Sequence, residues 1–147
     1  MKIAEIISEI NKTLKLKDER RERLISYSRE VIRRAGSTIL AIHRGDSVSA
    51  MENLEAARQA LHSSLEVCRD QPEYLYLGAL PQAMQEFAEA SIVTAILKGE
   101  DLPKPEDVGV PAEAYIAGLA DAVGEMRRYA LDSLRRDNIE EAERMLK

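Results

Sequence analysis

The chain has 147 residues, with 21 Lys and Arg against 26 Asp and Glu, for a formal net charge of −5. That length suits one domain with a real core, and the acidic balance excludes a protein that is basic overall, so any nucleic-acid contact must come from a local basic face. A single cysteine, Cys68, excludes a disulfide framework and a cysteine-based zinc site, and reads as a small core or interface residue rather than a catalytic thiol.

Trp is absent and aromatics make up 4% of the chain, a mix that favours helix over strand. Ile3, Ile6, Ile7, Ile10 and Leu14 mark a first amphipathic helix ending near Leu16. A second runs from Asp18 to about Arg44 on the stripe Leu24, Val31, Ala35, Ile39, Ile42, and Gly45 stops it. Ser49-Ala50-Met51-Glu52 has a capping-box pattern and opens a third, carrying Leu54, Ala57, Leu61, Leu65 and Cys68. The fourth helical region, Glu73 to Lys98, contains Gly78 and Pro81, so a kink or restart is expected between Leu77 and Pro81. Gly99 closes it. From Gly99 to Val110 the chain reads as a loop, with Pro103 and Pro105 barring helix. Pro111 suits the first turn of a fifth helix reaching about Arg136, and Asn138 with Glu141 caps a short sixth. The whole reads as an all-α bundle of about five to six helices in a single domain over residues 1–147.

The helix from Pro81 to Leu97 is apolar around nearly its whole circumference, yet it carries Glu86 and Glu89 three residues apart. Such a helix is normally buried, and buried carboxylates require partners, protons or a metal. On the fifth helix, Ile116, Leu119, Val123, Met126, Ala130 and Leu134 read as the core face. Asp121 and Glu125 fall roughly opposite, on a stripe with Ala114 and Gly118. Two helices each offering two carboxylates suit a divalent cation, and magnesium fits an oxygen-only donor set best. Glutamates at helical spacing also commonly just solvate a face, so spacing alone leaves both readings open.

Gln85-Glu86-Phe87-Ala88-Glu89-Ala90 resembles the Gln-Glu-Tyr-Val-Glu-Ala element of the translin-associated factor X branch of the translin family. The run from Ala114 to Glu125 resembles that branch's Asp-Tyr-Leu-Leu-Gly-Val-Ala-Asp-Leu-Thr-Gly-Glu element, and Ile39 to Arg44 is similar to its helix-two ending. The resemblance extends from about Arg20 to Ile139. It implies an antiparallel multi-helix bundle of the translin type, assembled into a hollow homo-oligomer, typically an octamer. It also implies a magnesium-dependent endoribonuclease cleaving single-stranded RNA, with manganese as an alternative ion. Carried over by position, Glu86, Glu89 and Asp121 would ligate the metal and act in catalysis, with Glu125 as ligand or support. The translin branch, which binds RNA or single-stranded DNA without this chemistry, has an apolar residue in place of Asp121; it supplies the alternative function. Family members continue beyond the position of Lys147, so the resemblance implies a domain truncated at its C-terminus.

An acidic cluster repels RNA unless cations balance it. Arg29, Arg33 and Arg44 fall within about 60° of one another on the second helix, and Arg127 and Arg128 flank the acidic stripe on the fifth. These five are the candidate phosphate contacts, giving salt-sensitive, largely sequence-independent binding. The competing reading for the first three is a solvated face paired with Glu22 and Glu30. His43 and His62 lie on separate segments without an obvious partner. His43, at a helix C-terminus, reads as structural, with a catalytic or RNA-contacting role as the alternative. No apolar stretch reaches the ~18 residues of a membrane span. Glu5 and Glu9 stand where a signal peptide would be apolar, so the expected location is the cytoplasm.

Overall fold

The computed structural model describes residues 2–147 and contains six α-helices: α1 (Ile3–His43), α2 (Ser47–Val67), α3 (Leu80–Lys98), α4 (Pro105–Val108), α5 (Ala112–Arg135) and α6 (Ile139–Leu146). A 3-10 turn over Pro72–Tyr76 joins α2 to α3, and no strand occurs among the described residues. The all-α expectation holds.

The first two expected helices are one. α1 runs unbroken for 41 residues. Nothing from Lys15 to Arg23 is a helix breaker; the charges there simply solvate a rod whose first turns, Ile3 to Leu16 included, are exposed. From Leu24 onward the same helix turns a face inward through Ser28, Val31, Ala35, Thr38 and Ala41. Gly45 then takes the left-handed conformation, φ 73°, and lets the chain reverse into α2. Asp46, not Ser49, is the N-cap of α2: its carboxylate accepts from the Ser49 backbone N–H at 3.0 Å. α2 packs along the inward-facing half of α1, with Arg34 Nη1 donating to Asn53 Oδ1 at 3.1 Å near the turn.

The chain restarts as expected before α3, with Leu80 and Pro81 in its first turn. α3 is the central element. Phe87, Leu80, Ile92 and Val93 are among the most deeply buried side chains, and α3 packs against both α1 and α5. Pro105, expected to bar helix, instead opens α4; a first-turn proline has no N–H to lose, and Asp107 Oδ2 accepts from the Lys104 backbone N–H. Pro111 is the N-cap of α5, and Asn138 caps α6 by accepting from the Glu141 N–H.

The core face of α5 keeps the expected Met126 and Ala130 but is otherwise shifted. Its buried residues are Ala114, Gly118, Ala122, Met126, Ala130 and Ser133, whereas Ile116, Val123 and Leu134 are exposed. Small side chains let α5 lie close on α3, and close backbone approach outweighs the burial offered by the bulkier stripe. Of that stripe, Leu119 is partly buried, packed with Met126 against Ile92 and Val93.

Candidate functional site

Close approach of α3 and α5 is what assembles the site. A Cβ at Gly118 would stand 2.7 Å from Ala88 Cβ, 2.7 Å from the Gln85 carbonyl oxygen and 2.8 Å from the Glu89 backbone nitrogen. Only glycine fits there, and Glu89 and Gln85 lie directly across from it. Asp121 and Glu125 follow Gly118 by one and two turns, so they flank the contact line rather than facing away from the bundle.

All four expected carboxylates come together. Glu89 is half-buried, and its pKa is pushed up to about 7 by burial and by the negative charges of Asp121, Glu125 and Glu86. The other three are held by neutral or imidazole donors. Gln82 Nε2 donates to Glu86 Oε1 at 2.9 Å, Gln85 Nε2 to Asp121 Oδ2 at 2.6 Å, and His43 Nε2 lies 2.6 Å from Glu125 Oε2. Among the described residues, none of Glu86, Glu89 or Asp121 pairs with an arginine or lysine, unlike Glu30, Asp132 and Glu141. No three of these groups stand at ion-holding spacing among the described residues. Like charges in a partly desolvated cleft repel one another, and a bound divalent cation would relieve that repulsion. The donor set fits a hard cation: four carboxylates and no thiolate.

His43, expected to be structural, lies against the Glu125 edge of this cluster. Its side chain is 10% exposed and comes from the last residue of α1, 82 positions from Glu125. The cue lay in the sequence only as a histidine at a helix end; nothing local connected it to α5.

The basic residues divide. Arg127 and Arg128 are exposed on α5 and line a shallow groove with Gly124, Leu131, Asp132 and Arg135. Arg128 shares the Asp121–Glu125 stripe, a turn beyond Glu125. Arg44 is exposed beside His43. Arg29 and Arg33 sit ten or more residues up α1, roughly 15–21 Å from His43 along the helix axis, so they do not touch the cluster. Arg33 is also held by Glu30 at 2.7 Å, in line with a solvated, paired face, and Arg34, not singled out from the sequence, shares the same carboxylate. His62 is exposed on α2 and Cys68 is buried, its thiol pushed up by burial. No helix is long and apolar enough to cross a membrane among the described residues.

Known proteins share this arrangement of helices. The crystal structure of AfC3PO superposes with a TM-score of 0.85 at 36% identity, covering 95% of this chain and 72% of that one. The structure of an AfC3PO–duplex RNA complex superposes equally well, at 35% identity and the same coverage. Apo-NeC3PO, at 23% identity and a TM-score of 0.83 over 99% of this chain and 76% of that one, shares the fold. An uncharacterised protein of Methanocaldococcus jannaschii, MJ0175, is 32% identical over 132 residues, 89% of this chain; the match spans 59% of that relative's length. The translin family profile matches residues 19–147, which include every carboxylate of the cluster, and the chain belongs to the translin family.

Proposed function

We propose that this chain is a magnesium-dependent endoribonuclease of the factor X type, cleaving single-stranded RNA within a homo-oligomer, with manganese able to replace magnesium. The observation that carries the reading is the gathering of Glu86, Glu89, Asp121 and Glu125 from two helices around the Gly118 contact, with Glu89 raised to about 7 by its neighbours. Structural carboxylates of a helical scaffold find arginine partners. These do not, and they concentrate negative charge where a bundle holds cations.

Glu86, Glu89 and Asp121 would hold the ion, with Glu125 completing the acidic wall. When bound, a divalent ion supplies a water of lowered pKa and charge stabilisation at the scissile phosphate. The chain's own residues do the rest. Gln85 fixes Asp121, and Gln82 fixes Glu86, so the two outer carboxylates keep defined directions. Without a cation, Glu89 retains its proton to near neutrality and removes one of four like charges. Arg127, Arg128 and Arg44 offset the repulsion between the acidic cluster and a phosphate backbone. Arg29 and Arg33 would extend the basic track along α1, away from the chemistry. The RNA bound in the AfC3PO complex supports RNA as the ligand class. An oligomeric assembly would cover the exposed Ile116, Val123, Leu131 and Leu134 of α5.

The test is cleavage of labelled single-stranded and duplex RNA by the purified chain, with magnesium and with chelator. Magnesium-dependent cutting of the single strand, lost in Glu86→Ala and Asp121→Ala, is the expected result. RNA retention without cation-dependent cutting selects the other reading, a non-catalytic translin-like protein binding RNA or single-stranded DNA.

A further inference from the structure

His43 makes the shortest contact between α1 and the acidic cluster. Its Nε2 is 2.6 Å from Glu125 Oε2, with the histidine side chain 10% exposed and the glutamate 21%. An ionised carboxylate only accepts, so Nε2 carries the proton that joins them. The end of α1 is gripped by one stripe running along α5 and onto Arg136, the residue after it, spaced four, three and four residues apart. Besides Glu125, the Tyr129 ring lies 6.3 Å from the imidazole, Asp132 Oδ2 is 3.9 Å from Nδ1, and Arg136 Nη2 donates to the His43 carbonyl at 3.4 Å.

The other ring nitrogen distinguishes this histidine from an ordinary structural one. Nδ1 is buried and has no hydrogen-bond partner. Buried polar atoms are nearly always paired, and a histidine placed only to stitch two helices would use both nitrogens. Here the ring gives up one bond and keeps the one to Glu125. A glutamate side chain on an isolated helix face samples several rotamers; a short, desolvated hydrogen bond from another element selects one.

We propose that His43 is a positioning residue, which fixes the Glu125 carboxylate beside Glu89 and Asp121 and thereby sets the geometry of the divalent-cation site. This rests on the cation reading given above, and it adds α1 to a site otherwise built from α3 and α5. Donors of this kind to acidic metal sites govern affinity by about 10–100-fold.

The test is Mn2+ binding by the purified chain, measured by isothermal titration at fixed pH, with thermal unfolding and RNA cleavage recorded on the same samples. His43→Leu keeps the apolar bulk and loses the donor; it is expected to weaken Mn2+ binding about ten-fold. His43→Gln, whose amide N–H reaches toward Glu125, is expected to recover most of that loss. In a Glu125→Ala background, His43→Leu is expected to change Mn2+ affinity no further. Cleavage by His43→Leu should show reduced kcat with KM for RNA unchanged. If His43→Leu does not fold, His43→Asn replaces it, since its amide sits at the Nδ1 position and falls short of Glu125. Unchanged Mn2+ affinity in the donor-less variant, whatever its unfolding temperature, overturns the positioning role and leaves the proposed function standing. Absence of Mn2+ binding by the parent chain removes the cation reading and this proposal together.

Discussion

Glu89→Gln should make the cation-free protein more stable at alkaline pH and leave it unchanged in acid. Glu89 is half-buried among Asp121, Glu125 and Glu86, and its pKa rises from an ordinary 4.5 to about 7. A displacement of that size corresponds to about 3 kcal/mol at full strength. Half of the carboxylate remains solvated, and screening reduces the effect to about 1–2 kcal/mol. Well below pH 4.5 the group is protonated in folded and unfolded chains alike, so it contributes no difference. Between about pH 4.5 and 7 the unfolded chain releases a proton that the folded chain keeps, so the folded state binds more protons and stability falls as pH rises. Above about pH 7 both states are ionised and the folded protein bears the full repulsion. Glutamine keeps the shape and removes the charge. Urea unfolding in chelator should therefore show Glu89→Gln more stable than the parent by about 1–2 kcal/mol at pH 8, with equal stabilities near pH 4. Added magnesium should reverse the order, because binding to the folded state stabilises the parent selectively. A glutamine variant less stable than the parent at pH 8 in chelator, or shifted equally at both pH values, would refute the reasoning. It would point instead to Glu89 as a stabilising structural bond.

Gly118→Ala places a methyl against Ala88 Cβ and the Gln85 carbonyl, each 2.7 Å away, and must part α3 from α5. A loss of about 1–3 kcal/mol in denaturant unfolding is expected, with weaker Mn2+ binding, and a neutral result would remove the close-contact account. Asp46→Ala should cost about 1 kcal/mol in the same assay, and Ser49→Ala less, because Asp46 is the cap of α2. Replacing both Arg127 and Arg128 by alanine should weaken RNA binding regardless of sequence. The slope of log affinity against log salt should fall in magnitude by about 1.4, and an unchanged slope would remove both from the phosphate contacts.

Helix positions were largely legible because their signals are local. Gly45 and Gly99 stop helices, Asn138 caps one, and the apolar circumference of residues 81–97 marks the central helix. What failed depended on partners distant in the chain. The charged stretch around Lys17 resembled a boundary, but charge does not break a helix. Ile116 and Val123 outranked Ala114, Gly118 and Ala122 in hydrophobicity, yet α3 selected the small face, because the distance between two backbones decides that contact. The two acidic pairs could be proposed from spacing and resemblance, since each lies within one helix. His43 could not, because 82 residues separate it from Glu125. The same limit applies to the arginines: shared angle on α1 grouped Arg29 and Arg33 with Arg44, but position along the axis separates them from the cluster.

The central claim is that Glu86, Glu89 and Asp121 hold a divalent ion that cuts RNA. The most direct measurement compares cleavage of a labelled single strand by the parent and by Asp121→Asn, across a magnesium titration, with circular dichroism confirming that both are folded. The account predicts cutting by the parent that rises with magnesium and stops with chelator, and an asparagine variant that remains helical but cuts at least a hundred-fold more slowly, on the order of the loss expected when a metal-site carboxylate is removed. Equal cleavage by the two proteins, or cleavage by the parent that chelator does not affect, would contradict it.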